Sequence, residues 1–69
     1  MPIIDVTLLE GRTNADKNRL IAELTDGAER ALKAPRDTIR VIIREVAAAN
    51  FAVAGVTKAQ SAAAAKAAE

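Results

Sequence analysis

Residues 39–46 read IRVIIREV, and the fold turns on them. Ile39, Val41 and Ile43 fall on one side of an extended chain, and Arg40, Ile42, Arg44 and Val46 fall on the other. That alternation is the signature of a β-strand with one apolar face and one mixed face. Upstream stands Ala34-Pro35. The residue before a proline is pushed out of the α region, so this pair stops whatever helix precedes it.

A helix does precede it. From Asn14 to about Lys33, the residues Leu20, Ile21, Leu24, Ala28, Ala31 and Leu32 recur at helical spacing and define one stripe. Lys17, Arg19, Glu23, Asp26, Glu29 and Arg30 lie largely off it. Thr13 is placed as the N-cap, and Asp16 in the first turn complements the positive helix end. Gly27 weakens the interior by about 1 kcal/mol, which tertiary contacts can offset.

Glu10-Gly11-Arg12 forms the turn before this helix, and Ile3–Leu9 reads as the other strand. Ile4, Val6 and Leu8 make a wholly apolar face, with Ile3, Asp5, Thr7 and Leu9 opposite. Pro2 stands where a strand tolerates proline, at its beginning. Strand, helix, strand is a βαβ unit, whose strands should run parallel through a right-handed crossover. The expected class is α+β.

Parallel sheets are normally covered on both faces, and one helix covers only one. The face left bare carries Asp5, Thr7, Arg40 and Arg44 among isoleucines. A surface half apolar and half charged suits a contact between subunits where opposite charges pair. Composition points the same way. In 69 residues Phe51 is the sole aromatic, cysteine is absent, and much of the apolar content is alanine. So small a chain without disulfides needs further burial, and an obligate oligomer supplies it.

Downstream of Val46 the chain turns small and apolar, AAANFAVAGV, read as a loop or short hairpin carrying Phe51. Thr57-Lys58-Ala59-Gln60 is a capping box, so a C-terminal helix from Lys58 is expected, frayed or disordered in its alanine-rich part. The domain is placed at residues 2–56 and the tail at 57–69.

Several functions recede. The net charge is +1, with no basic run and no aromatic platform, which speaks against nucleic-acid binding. The longest uncharged stretch, 46–57, is about half the ~20 residues of a membrane span. No basic segment followed by an apolar stretch opens the chain, so a cytoplasmic protein is expected.

With His, Cys and Tyr all missing, acid–base chemistry falls to carboxylates, lysines or a terminal amine. The carboxylates are scattered along the helix's solvent side, and the lysines read as solvated charge. Pro2 differs, because removal of Met1 turns its ring nitrogen into a free secondary amine. An α-amino group titrates near ~7.7–8.0 in a model peptide, far closer to neutrality than lysine, and a dry, cation-rich site lowers it further. The ring also aims the nitrogen by fixing φ.

In a parallel pair, Arg40 begins one strand at the edge where Pro2 begins the other. Arg12 lies beyond the far end of the first strand, ~25 Å from Pro2 at ~3.3 Å per residue. If Arg12 serves the same site, it comes from another subunit. Singly, each residue has a plain structural reading: Arg12 a turn residue, Arg40 and Arg44 ion-pair partners, Phe51 core filler.

Together, PII at the N-terminus, LLEGR at 8–12, Asp16-Lys17, KAP at 33–35, IRVIIRE at 39–45 and NFAVAG at 50–55 resemble the 4-oxalocrotonate tautomerase family, small members of the tautomerase superfamily. The resemblance runs from Pro2 to Val56 and implies a cofactor-free isomerase. In that family a processed N-terminal proline is the general base, a role that falls on Pro2. Arg40 matches the arginine holding the keto-acid end of an unsaturated 2-hydroxy/2-oxo dicarboxylate. Arg12 matches the one gripping the distal carboxylate, Phe51 the aromatic that dries the site, and Leu9 a position packing near substrate. It further implies a homohexamer, a trimer of dimers in which neighbouring chains contribute the arginines, and a role in aromatic-compound breakdown.

The chain departs from the family at Ala52 and Ala54, where glycines are usual, and alanine resists positive φ. Asn50 takes a position often held by histidine. Two other readings are compatible with the sequence: the same fold and proline base acting on a different physiological substrate, or a non-catalytic oligomeric assembly protein that keeps Met1.

Overall fold

A computed structural model describes residues 1–62. The first strand, β1, is Ile3–Leu9, followed by the helix α1, Asn14–Leu32. A 3-10 turn at Arg36–Thr38 leads into β2, Arg40–Val46. A second such turn, Ala48–Asn50, precedes two short strands, β3 (Ala52–Val53) and β4 (Val56–Thr57). β1 and β2 pair in parallel from Ile3↔Arg40 to Leu9↔Val46, and β3 and β4 pair antiparallel. The βαβ expectation is met.

The helix begins where the sequence places it. Thr13, in extended conformation, accepts a hydrogen bond on its hydroxyl from the Asp16 N–H at 3.1 Å. It ends one residue earlier, and for a different reason. Lys33 takes the left-handed conformation (φ 55°, ψ 33°) as C-cap, so the reversal comes two residues before Pro35.

β2 likewise starts at Arg40 rather than Ile39, because the 3-10 turn runs up to Thr38 and bonds the Ile39 N–H to the Arg36 carbonyl at 3.2 Å. Ile39, freed from the ladder, is the buried hydrophobic residue of the described chain, at 9% exposure.

Burial alternates along both strands. Ile4, Val6 and Leu8 of β1, with Val41 and Ile43 of β2, are half-buried on the helix side. From α1, Leu20, Leu24 and Ala28 are half-buried, whereas Ile21, Ala31 and Leu32 of the expected stripe are exposed. A 19-residue helix is about 28 Å long. The seven-residue strands span about 23 Å, shorter than the helix that packs on them. Lys17 ties helix to sheet through a 2.8 Å ion pair with Glu45, so it is not the free surface lysine that the sequence suggests.

The opposite sheet face is open. Ile3 is 56% and Ile42 41% exposed, and beside them the Asp5 carboxylate, directly opposite Ile42, lies 3.3 Å from Nε of Arg44. The opposite charges expected on this face thus meet within one chain. Among the described residues, no helix is long and apolar enough to cross a membrane.

The chain then returns along the sheet's far end. The Ala54-Gly55 turn joins β3 to β4 with φ of 54° and 82°, the double positive φ of a type I′ hairpin. Ala54 therefore occupies the backbone region that alanine resists. At 57–60 the capping box is complete: Gln60 N–H donates to the Thr57 hydroxyl at 3.1 Å, and Thr57 N–H donates to the Gln60 side chain at 2.9 Å. Residues 58–62 are helical. The expectation for the rest of the alanine-rich tail lies outside the described residues.

Candidate active site

The candidate residues fall into two groups at opposite ends of the sheet. At one end, Pro2 is half-buried and its carbonyl accepts the Arg40 N–H at 3.0 Å, extending the ladder one rung before Ile3. The Arg40 side chain is exposed and steadied by one bond, Nη1 donating to the Asp37 carbonyl at 2.8 Å. That fixes one edge of the guanidinium and leaves its other N–H groups to bind an anion.

The Asp37 carbonyl belongs to the Arg36–Thr38 turn, which is tied down in turn. The Thr38 N–H and hydroxyl both donate to the Pro35 carbonyl, at 3.0 and 2.7 Å. Arg36 reaches back to α1, with Nη1 at 2.6 Å from Asp26 and 3.8 Å from Glu29. The hydrogen bond and charge of Asp26 hold the Arg36 guanidinium above its ordinary pKa. Asp26 and Glu29, assigned to the solvent side from the sequence, are half-buried and serve this arginine. Their spacing on one helical face, with a cation shortly after the helix, is the signal that could have revealed them.

At the other end, the Glu10 N–H donates to the Val46 carbonyl at 2.9 Å, closing the ladder. Gly11, at φ 120°, then turns the chain in a region closed to residues with a Cβ. Arg12 follows. Here Thr7, Leu8, Leu9, Glu10, Gly11, Arg12 and Phe51 line an open depression of about 520 Å³. Phe51 reaches it because the Ala48–Asn50 turn folds the chain back after β2, and its carbonyl accepts the Lys58 N–H at 2.7 Å. A smaller hollow of about 280 Å³ on the helix side is lined by Leu8, Arg12, Asp16, Lys17 and Leu20.

One chain therefore brings Pro2 to Arg40, and Leu9 and Phe51 to Arg12, but does not bring the two groups together. The seven residues of β1 hold them about 23 Å apart. An amine with a guanidinium can move a proton and steady the resulting anion. A guanidinium in an apolar depression can seat a carboxylate. Each half lacks what the other supplies.

A model of the tautomerase family, described as a tautomerase enzyme, matches residues 2–61. This chain belongs to the tautomerase family. It is 57% identical over 58 residues to a probable tautomerase of Ralstonia nicotianae, covering 84% of this chain and 83% of that one. Among solved structures, a 4-oxalocrotonate tautomerase isozyme from Methylibium petroleiphilum superposes with a TM-score of 0.89 at 41% identity, covering 91% of this chain and 98% of the other. A heterohexamer 4-oxalocrotonate tautomerase from Chloroflexus aurantiacus J-10-fl superposes with a TM-score of 0.84 at 33% identity, covering 87% and 97%. The βαβ fold is that of the 4-oxalocrotonate tautomerases, and this tautomerase carries Pro2, Arg12, Arg40 and Phe51 on it.

Proposed function

We propose that this tautomerase is a cofactor-free keto–enol isomerase that uses the Pro2 amine, freed by removal of Met1, as general base on an unsaturated 2-hydroxy/2-oxo dicarboxylate. The observation that carries the reading is the shared sheet edge of Pro2 and Arg40, with the Arg40 guanidinium anchored on one side and open on the other. Met1 is exposed and followed by a small residue, which suits its removal.

Pro2 takes the enol proton of a 2-hydroxydienoate, and the electron pair left on oxygen delocalises through the conjugated system. Arg40, which the resemblance assigns to a neighbouring chain and which this fold also sets at the sheet edge of Pro2 in the same chain, stabilises the negative charge on the 2-oxygen and its neighbouring carboxylate. The protonated Pro2 then returns the proton to a carbon further along the chain, giving the 2-oxo isomer with no net change in atoms. Arg12 from another subunit grips the distal carboxylate, so that the remote carbon is held within reach of the same nitrogen. Leu9 and Phe51 exclude water around the amine, favouring its neutral form.

Assembly completes this site. The separation of the two groups within one chain, the open face of Ile3 and Ile42, and the burial of little beyond Ile39 support a homohexamer built as a trimer of dimers. The reading places the protein in the cytoplasm, in the breakdown of aromatic compounds. Its test is an ultraviolet enol-to-keto assay with several dienols, on protein whose intact mass shows loss of one methionine. Conversion well above the solvent rate supports the reading. No conversion by processed, assembled protein overturns it.

A further inference from the structure

We infer that Arg36 is a positioning residue for Arg40, acting through the 3-10 turn between α1 and β2; this rests on the proposed role of Arg40. The Arg40 guanidinium is held by the carbonyl oxygen of Asp37, the middle residue of that turn, at 2.8 Å. A carbonyl is a fixed point only as far as its peptide plane is fixed. The bonds of Thr38 and Ile39 to Pro35 and Arg36 are internal to the turn and shape it without anchoring it to the domain.

The anchors are few. On the strand side, the Arg40 N–H bonds to Pro2. On the helix side, the polar side-chain links among the described residues are those of Arg36, to Asp26 at 2.6 Å and Glu29 at 3.8 Å. Lys33 in its left-handed conformation and Pro35 stiffen the way in, but neither reaches across to α1. The path Asp26–Arg36–Asp37 carbonyl–Arg40 thus connects the helix surface to the guanidinium of the residue whose N–H pairs with Pro2. Arg36 makes both contacts through the one Nη1, a hydrogen bond to Asp26 and an ion-pair approach to Glu29 one helical turn on, so the cation is held between two carboxylates of α1.

Loosening the turn should let the Asp37 carbonyl tilt, so that Arg40 loses alignment with charge that develops during reaction more than with the ground-state carboxylate. Exposed ion pairs are individually weak, so the effect is modest, about three- to fivefold in kcat with a smaller change in KM. The test is a double-mutant cycle on assembled, processed protein with a dienol substrate. Arg36→Gln should lower kcat by that amount with hexamer content unchanged, Arg36→Lys should recover much of it, and Asp26→Asn should resemble Arg36→Gln. In an Arg40→Gln background, Arg36→Gln should have no further effect, since its target is gone.

An equal Arg36→Gln effect with and without Arg40, or none in the otherwise unaltered enzyme while Arg40→Gln is impaired, would overturn the inference and leave the proposed function standing. Full activity of Arg40→Gln would overturn both, a distinct pattern.

Discussion

The Arg40 N–H donates to the Pro2 carbonyl at 3.0 Å, so two residues distant in sequence share one backbone rung at the edge of the sheet. The rung uses the carbonyl of Pro2 and leaves its ring nitrogen out of the ladder. Replacing Pro2 by alanine therefore keeps the hydrogen bond while changing the proposed base from an aimed secondary amine to a freely rotating primary one. Pro2→Ala should lower turnover by about 10²-fold or more with the assembly intact, as read by ultraviolet assay beside size-exclusion chromatography.

The same nitrogen sets a pH dependence. A base must be unprotonated to act, so kcat/KM should fall toward acid pH with a slope of one proton. Protein expressed so that Met1 is retained should lack activity across the whole range, because an amide nitrogen does not titrate there. A pH–rate profile measured on both forms, each verified by intact mass, checks this.

Pro2 and Arg12 sit at opposite ends of β1, about 23 Å apart, which makes subunit exchange informative. Pro2→Ala chains and Arg12→Ala chains should each be impaired alone. Unfolded together and reassembled, they should regain activity, approaching about a quarter of the unaltered sites under random mixing in a symmetric oligomer. A mixture no more active than its parents would place Arg12 outside the Pro2 site.

Ala54 offers a separate test of the backbone. It holds φ 54° in the two-residue turn before Gly55, where asparagine or glycine is favoured. Left-handed conformation costs an ordinary L-residue about 1–2 kcal/mol, so Ala54→Gly, despite the greater freedom of glycine when unfolded, should stabilise the hairpin by up to about 1 kcal/mol. The expected result is a melting temperature a few degrees higher, by calorimetry at fixed protein concentration.

What the sequence disclosed and what it hid divide along the range of the interactions. The Thr13 cap and the Thr57–Gln60 box are made by side chains three residues from their partners, so local chemistry was enough to place them. The strands followed from alternation, and the Pro2–Arg40 edge followed from their parallel direction. The Lys33 cap escaped because the left-handed residue there is not glycine, and a proline nearby offered a simpler stop. The Arg36 pairs escaped because they depend on how the turn folds back against α1. Phe51 comes beside Leu9 and Arg12 only because the Ala48–Asn50 turn reverses the chain beyond β2, so resemblance to the tautomerases, and not periodicity, joined these residues.

The open sheet face gives the last prediction. Ile3 and Ile42 lie on that face beside the Asp5–Arg44 pair, while the described chain buries little beyond Ile39. A protomer with so small a core has no reserve of its own, so folding and assembly should be one transition. The melting temperature should therefore rise with protein concentration. Ile42→Lys, which sets a third cation beside Arg40 and Arg44 on the same face, should abolish assembly. Loss of helical circular dichroism and loss of the oligomer peak should then coincide, and activity should vanish with them. A folded, monomeric Ile42→Lys protein would show that the face is solvated in the native state, and would detach the activity of this tautomerase from its assembly.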